Sequence, residues 1–185
     1  MIRIDFENTF EPVEIAEDLS FMIFYSPDKD GDNVLIKVKI QSLKDPLLPA
    51  VYNLAFGPYI PNAANPDEDI DDVAKIKHTD TNKMFSTVLF FGLVFLQANP
   101  DFIIGIDGST ETRAYLYHRM FQTNINHLNE YFVTIGVDWY VRLLRNNNIE
   151  VDRNGSPFFK PKPEPFDIQR PTTDLYRYYM FHLRK

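Results

Sequence analysis

The residues best suited to chemistry lie between positions 104 and 113, IGIDGSTETR. A short apolar strand would end there at Asp107 and Gly108. Ser109 and Thr110 would then open a helix carrying Arg113 about one turn in, with Tyr117 and His118 a turn further on. Unpaired amides and the helix dipole at such a start favour negative charge. The pattern therefore admits a phosphate or carboxylate held by Ser109, Thr110 and Arg113, with Tyr117 beside them and His118 or Asp107 as proton carrier. The plainer reading is a helix cap from Ser109 or Thr110, worth roughly 1 kcal/mol, with Arg113 paired to Glu111 or Asp107. Glu111 already complements the dipole and would repel an anion, which weighs toward the cap. His118, next to Arg119, reads otherwise as a surface helix residue.

Composition removes much other chemistry. Cysteine is absent, which excludes a disulfide framework, thiolate metal sites, iron–sulfur clusters and cysteine nucleophiles. His78, His118, His127 and His182 are scattered, with no HExxH and no i, i+4 pair, so no metal site is expected. Two acid runs invite a calcium loop and both fail. With Asp67 in first place, Asp72 falls where glycine belongs and His78 where the bidentate glutamate belongs; in Asp28-x-Asp30-x-Asp32 those places hold Asn33 and Lys39. Both runs read as solvated loops. Neither GxxxxGK nor GxGxxG occurs, and no cofactor is expected.

The formal charge is 19 − 26 = −7 over 185 residues, which disfavours bulk nucleic-acid binding. Arg142, Arg145 and Arg153 then read as balancing charge, and Trp139 with Tyr140 as aromatics that close a core. The longest apolar run, 84–98, has fifteen residues, where a membrane span needs about 20. With Arg3, Asp5 and Glu7 at the start and no apolar leader, the expected address is cytoplasmic, without a membrane partner.

The elements that must position these residues follow from periodicity. Residues 20–26 read as a strand ended by Pro27. After the turn at Asp30 and Gly31, residues 34–41 read as a second strand with one wet face, and 51–56 as a third closed by Gly57 and Pro58. Residues 58–72 form an exposed loop rich in proline and acid. The run 84–98 reads as a helix buried on nearly all sides and ended by Asn99 and Pro100; 102–106 is an apolar strand in mid-sheet. The second helix puts Ala114, Tyr117, Met120 and Phe121 on one face. A strand from 132 to 137, extending to 144, comes next. With five prolines, 157–171 predicts extended, weakly paired backbone, and 175–183 an edge-closing strand. This order predicts an α+β fold: one domain over 1–185, with a mostly antiparallel sheet and two main helices packed on one face.

Two resemblances follow. YNLAFG at 52–57, the pair Asp71 and Asp72, the apolar helix ending at Pro100, GSTxxRxxLYxR at 108–119 and the close FHLRK resemble an uncharacterised bacterial family, a domain of unknown function. The resemblance spans roughly 21–184 and implies a small soluble intracellular protein with no assigned activity, Ser109, Thr110, Arg113 and Tyr117 carrying its most specific block. Where that pattern has proline after the threonine and further basic residues early in the helix, this chain has Glu111 and Tyr115. More faintly, the helix, strand and helix bearing Leu116 and Tyr117 resemble the last third of small acetyltransferases, whose Gln/Arg-x-x-Gly-x-Gly/Ala signature is missing.

Two functional classes stay open. One is a non-enzymatic interaction or regulatory module whose partner is another protein or a second copy of the chain. The alternative is an enzyme or binding protein for a phosphorylated or nucleotide-like ligand at the start of the second helix.

Overall fold

Alternating apolar residues in the first half build an antiparallel meander: β1 (Pro12–Ile15), β2 (Phe21–Pro27), β3 (Asn33–Ser42) and β4 (Val51–Pro58). The coordinates are a computed structural model describing residues 1–61, 63–65, 68–71, 77–108, 110–145 and 148–185. The β2–β3 turn forms as its residues require. Gly31 sits at φ 93°, and the Asp28 carboxylate accepts the N–H groups of Asp30 and Asp32, each at 2.9 Å. Met22, Phe24, Ile36, Val38 and Leu54 project to one face and are buried.

The second half adds α1 (Thr81–Ala98), β5 (Ile103–Asp107), α2 (Glu111–Leu128), β6 (Phe132–Tyr140), β7 (Lys160–Pro165) and β8 (Tyr178–Leu183). The sheet order is β1-β2-β3-β4-β5-β8-β6-β7, and among the described residues only β4 and β5 pair in parallel. The chain is thus an α+β domain with a mostly antiparallel eight-stranded sheet and two helices. Both helices cover one face. Phe121 of α2 lies 5.7 Å from Tyr179 and 6.1 Å from Phe181, and a Cβ on Gly92 of α1 would sit 3.6 Å from that same Phe181. Leu48, Val51, Val137, Tyr178 and Met180 form a smaller cluster on the other face.

Four expectations need correction. The last strand does not close an edge. β8 lies inside the sheet, antiparallel to both β5 and β6, because α2 carries the chain over one strand position and leaves a slot that the buried residues Tyr178 to Phe181 fill. The expected extension of the 132–137 strand to 144 stops at Tyr140. Within 157–171, β7 is a paired edge strand on β6. Phe166 donates its N–H inward to Thr134 at 3.2 Å, so Pro161, Pro163 and Pro165 take the alternate positions, whose missing donors would face solvent. Nor is the face bearing Lys37 and Lys39 wet. The 59–71 loop folds over it, and Asp69, expected in a solvated run, is buried with its carboxylate 2.5 Å from Lys37 Nζ and 3.3 Å from Lys39 Nζ. Burial alone would raise the Asp69 pKa, but hydrogen bonds from both lysines outweigh it and hold the carboxyl below its usual range.

The first ten residues lie against both helices. Their backbone N–H groups donate to side chains that would otherwise be stranded in the core: Asp5 to Ser86 Oγ at 2.9 Å, Phe10 to Thr87 Oγ1 at 2.8 Å, and Ile4 to Asn124 Oδ1 at 2.8 Å. Asn124 completes the clamp by donating Nδ2 to the carbonyls of Ile2 and Met120. Asn124→Ala leaves the buried Ile4 N–H without an acceptor, so a loss of about 1–3 kcal/mol is expected in denaturant melts. Faster exchange of the Ile4 amide would locate the damage.

Candidate functional site

The parallel ladder is short. It runs Val51↔Ile103, Tyr52↔Ile104 and Asn53↔Gly105, after which β4 continues along β3 to Pro58 while β5 ends at Asp107. Among the described residues, Leu54 to Gly57 have no strand partner on the β5 side; beyond them the Pro58 carbonyl accepts the Asp71 N–H at 2.9 Å. A cleft of about 510 Å³ opens where the strands part. Because β5 has left, residues from both faces of β4 reach it, Leu54 and Phe56 as well as Asn53 and Ala55. Met84 and Phe85 of α1 and Leu116 and Tyr117 of α2 close the apolar side.

The last rung is fixed by a tyrosine. Tyr178 lies across Gly105 and donates its hydroxyl to Asn53 Oδ1 at 3.2 Å, tying β8 to β4 over the intervening strand. Burial first, then the nearby Asp107 charge, pushes the Tyr178 phenol far above its usual pKa, so it stays a neutral donor. No side chain larger than hydrogen fits at residue 105, since a Cβ there would collide with the Tyr178 ring. Gly105→Ala should cost about 1–3 kcal/mol in thermal melts, whereas Tyr178→Phe, losing only a hydrogen bond, should cost about 1 kcal/mol.

The charged groups come from separated segments. Lys29 belongs to the β2–β3 hairpin and Lys77 to the segment before α1, and a backbone bond from Lys29 N–H to the Lys77 carbonyl at 2.9 Å holds them together. Arg113 enters from α2. Asp71 and Asp107 add two carboxylates, so three cations face two acids across an apolar floor. Between Lys77 and α1, His78 lines the cleft with Nδ1 2.8 Å from Ser26 Oγ, a hydroxyl that is fully buried on β2. Burial lowers the His78 pKa and Asp28 opposes that shift only in part, so the ring is neutral at neutral pH.

The residues singled out from sequence divide into three groups. Asp107, Arg113 and Tyr117 line the cleft together. Thr110 caps α2, its Oγ1 accepting the Arg113 N–H at 3.2 Å, and it is not part of the walls. Ser109 lies outside the described residues, as do Asp67 and Asp72 of the acid run. Of the amides on which the anion reading relied, the Arg113 N–H goes to Thr110, and just before the helix the Gly108 N–H goes to the Arg177 carbonyl at 3.0 Å. The cleft adds side-chain chemistry to that helix start.

His118 corrects the expectation outright: it is 1% exposed, on the sheet side of α2, with neither ring nitrogen hydrogen-bonded. Phe166 covers it with centroids 5.2 Å apart, and the strap after β7 is held down by Arg170, which pairs with Asp138 at 2.8 Å and Glu164 at 3.1 Å. Trp139 and Tyr140, expected to close a core, are exposed instead, at 38% and 42%, because β6 ends there and nothing among the described residues packs over them. The cleft residues that sequence reading missed are Lys29, Asn53, Lys77 and His78. They are joined only by strand pairing and a long connection, and no local spacing links them.

The start of α1 offers no substitute for the missing glycine signature. Asp80 caps it, accepting the Lys83 N–H at 2.9 Å, and so places a carboxylate where a pyrophosphate would need bare amides. Among the described residues, no group of three or more His, Asp or Glu is placed to hold a metal ion. Among the described residues, no helix is long and apolar enough to cross a membrane.

These features define the class: an α+β protein whose parallel strand pair parts to open a cleft at its carboxyl ends, with cations at its rim. The chain belongs to DUF6934, a family of unknown function, whose model matches residues 8–153. Every wall of the cleft falls inside that match, while β7 and β8 lie beyond it. No curated protein and no solved structure matches the chain.

Burial lowers the His118 pKa, with the Arg119 and Arg170 charges adding to it. The unfolded chain therefore binds the extra proton below about pH 6.5, and stability falls as pH drops through that window. His118→Leu should raise stability by about 1 kcal/mol at neutral pH and flatten the acid-side loss, as read from melting curves across the range.

Proposed function

We propose that the protein binds a small phosphorylated or nucleotide-like molecule in the cleft, with the anionic end at Lys29, Lys77 and Arg113 and an apolar or extended portion along Leu54 and Phe56. One observation carries the reading. The YNLAFG block at 52–57 and the Arg113, Leu116 and Tyr117 positions of the second block line the same cleft, though they lie far apart in sequence. The location supports it, because open sheets take ligands where parallel strands end and diverge. The electrostatics support it too. Lys29 and Lys77 are held side by side with no ion pair of their own among the described residues, and a bound anion would relieve their repulsion. Among the described residues, Leu54 to Gly57 of β4 have no strand partner on the β5 side, an edge that suits an amide-bearing arm pairing with it as an added strand does.

A thermal-shift panel of ATP, an acyl-coenzyme A, a sugar phosphate and pyrophosphate tests this. A true ligand at 100 times its dissociation constant stabilises by about 2.7 kcal/mol. The double variant Lys29→Ala, Lys77→Ala should keep its own melting temperature within a few degrees and lose at least tenfold in ligand affinity. Silence across the panel overturns the proposal.

A second reading, a non-enzymatic docking module, is favoured by the excursion between β6 and β7. There Leu143 at 70% and Phe159 at 56% are exposed, as are Trp139 and Tyr140 at the end of β6, apolar side chains that a partner could cover. A concentration-independent monomer by sizing, with no partner recovered at native concentration, counts against it.

A further inference from the structure

We infer that His78 is the protonatable member of the anion site, so that binding of a phosphate-like group to Nε2–H in the cleft is coupled to proton uptake at Nδ1, the nitrogen that Ser26 holds. This inference rests on the ligand reading above and adds the chemistry by which the site recognises charge. Its basis is geometric. His78 lies between Lys77 and α1 in the wall of the cleft, and its Nδ1 meets Ser26 Oγ at 2.8 Å. With Nδ1 taken by Ser26, Nε2 is the ring nitrogen left for a ligand in the cleft.

The choice of partner matters. A carboxylate on Nδ1 would favour the imidazolium at all times, and a backbone N–H would forbid it. A hydroxyl does neither. Ser26 Oγ donates to Nδ1 when the ring is neutral and accepts from Nδ1–H when it is charged, without moving any heavy atom. Because Ser26 is fully buried on the packed face of β2, the ring is oriented equally in both states.

Burial opposes protonation of His78, and Asp28 of the hairpin favours it in part. The other charged groups about the cleft are Lys29 from the β2–β3 hairpin, Lys77 on its own segment, Arg113 from α2, Asp71, Asp107 at the end of β5 and Asp80 at the cap of α1. Asp28 is weakened as a counter-ion because its Oδ1 is already committed to the N–H groups of Asp30 and Asp32. A dianion placed among Lys29, Lys77 and Arg113 reverses the balance: it attracts the imidazolium and gives its Nε2–H an acceptor, so binding and protonation reinforce one another.

The test uses the full chain and inorganic sulfate, whose double charge is constant in the working range, at fixed ionic strength. Sulfate is titrated between about pH 6 and pH 8 while the His78 ring resonances are followed by NMR, and proton uptake is counted by calorimetry in two buffers of different ionisation enthalpy. The expected result is an affinity that rises several-fold, up to about tenfold, for each pH unit lowered, with the His78 titration moved to higher pH by sulfate. His78→Gln, which keeps an amide in reach of Ser26 but takes no proton, should bind sulfate more weakly and independently of pH. Should that variant fail to fold, the wild-type ring titration with and without sulfate decides alone. A flat wild-type affinity, or a pH dependence that persists in His78→Gln, overturns the inference. If members of the nucleotide panel bind while sulfate leaves His78 untouched, the ligand reading stands and this inference falls. If nothing binds, both fall together.

Discussion

The divergence of β4 from β5 after the Asn53↔Gly105 rung is the constraint on which the rest depends. Had the parallel ladder continued, β4 and β5 would stay joined beyond Asn53, and the charged residues at the rim would have no concavity to face. The divergence is enforced rather than accidental. β4 stays paired to β3 through Pro58, which lacks an N–H to offer β5, and the Asp71 N–H takes the Pro58 carbonyl on that side. On the other side of the rung, Tyr178 bolts Asn53 to β8 across the bare Gly105. The two strands are therefore clamped together at one end and held apart at the other. Asp69 contributes at a distance: its buried pair with Lys37 and Lys39 anchors the loop that delivers Asp71 to the cleft wall.

Much of the fold was legible because local physics agreed with tertiary placement. The alternation at 34–41, the turn at Gly31, the apolar run ended by Pro100 and the helical spacing of Ala114, Tyr117 and Phe121 each have one cheap solution, and the chain adopts it. What was not legible is what depends on non-local closure. β1 is four exposed residues whose identity as a strand comes entirely from pairing with β2. The central place of β8 follows from α2 carrying the chain past one strand position, which no composition reveals. Lys37 and Lys39 looked like a wet face because nothing local says that a loop about 30 residues later returns to cover them, which is the ordinary limit of periodicity arguments.

The candidate site was half legible, and the division falls along the same line. Asp107, Arg113 and Tyr117 share a strand end and one helix stripe, so their convergence follows from local geometry. Lys29, Asn53, Lys77 and His78 reach the cleft through strand order and through a backbone bond between segments 48 residues apart, and sequence spacing holds no trace of that. Backbone amides at a helix terminus are available only if the chain leaves them so; here Thr110 takes the Arg113 N–H, and the cleft offers charged side chains besides.

The two histidines show how little sequence proximity counts once a helix is in place. His118 follows Tyr117 directly, yet successive helical residues point about 100° apart. Arg113 and Tyr117, at i and i+4, share the stripe that faces the cleft, and the next residue is turned away and sealed beneath Phe166. Its burial without a hydrogen-bond partner makes it a liability to stability that a neutral ring minimises. His78, far from the second helix in sequence, has the reverse arrangement, with one nitrogen satisfied inside by an amphoteric hydroxyl and the other left for a ligand in a concave wall among cations. A titratable group in the first setting reports on folding alone, because no ligand reaches it. In the second setting its protonation is tied to whatever fills the cleft, since burial keeps the ring neutral until a bound anion places an opposite charge beside it.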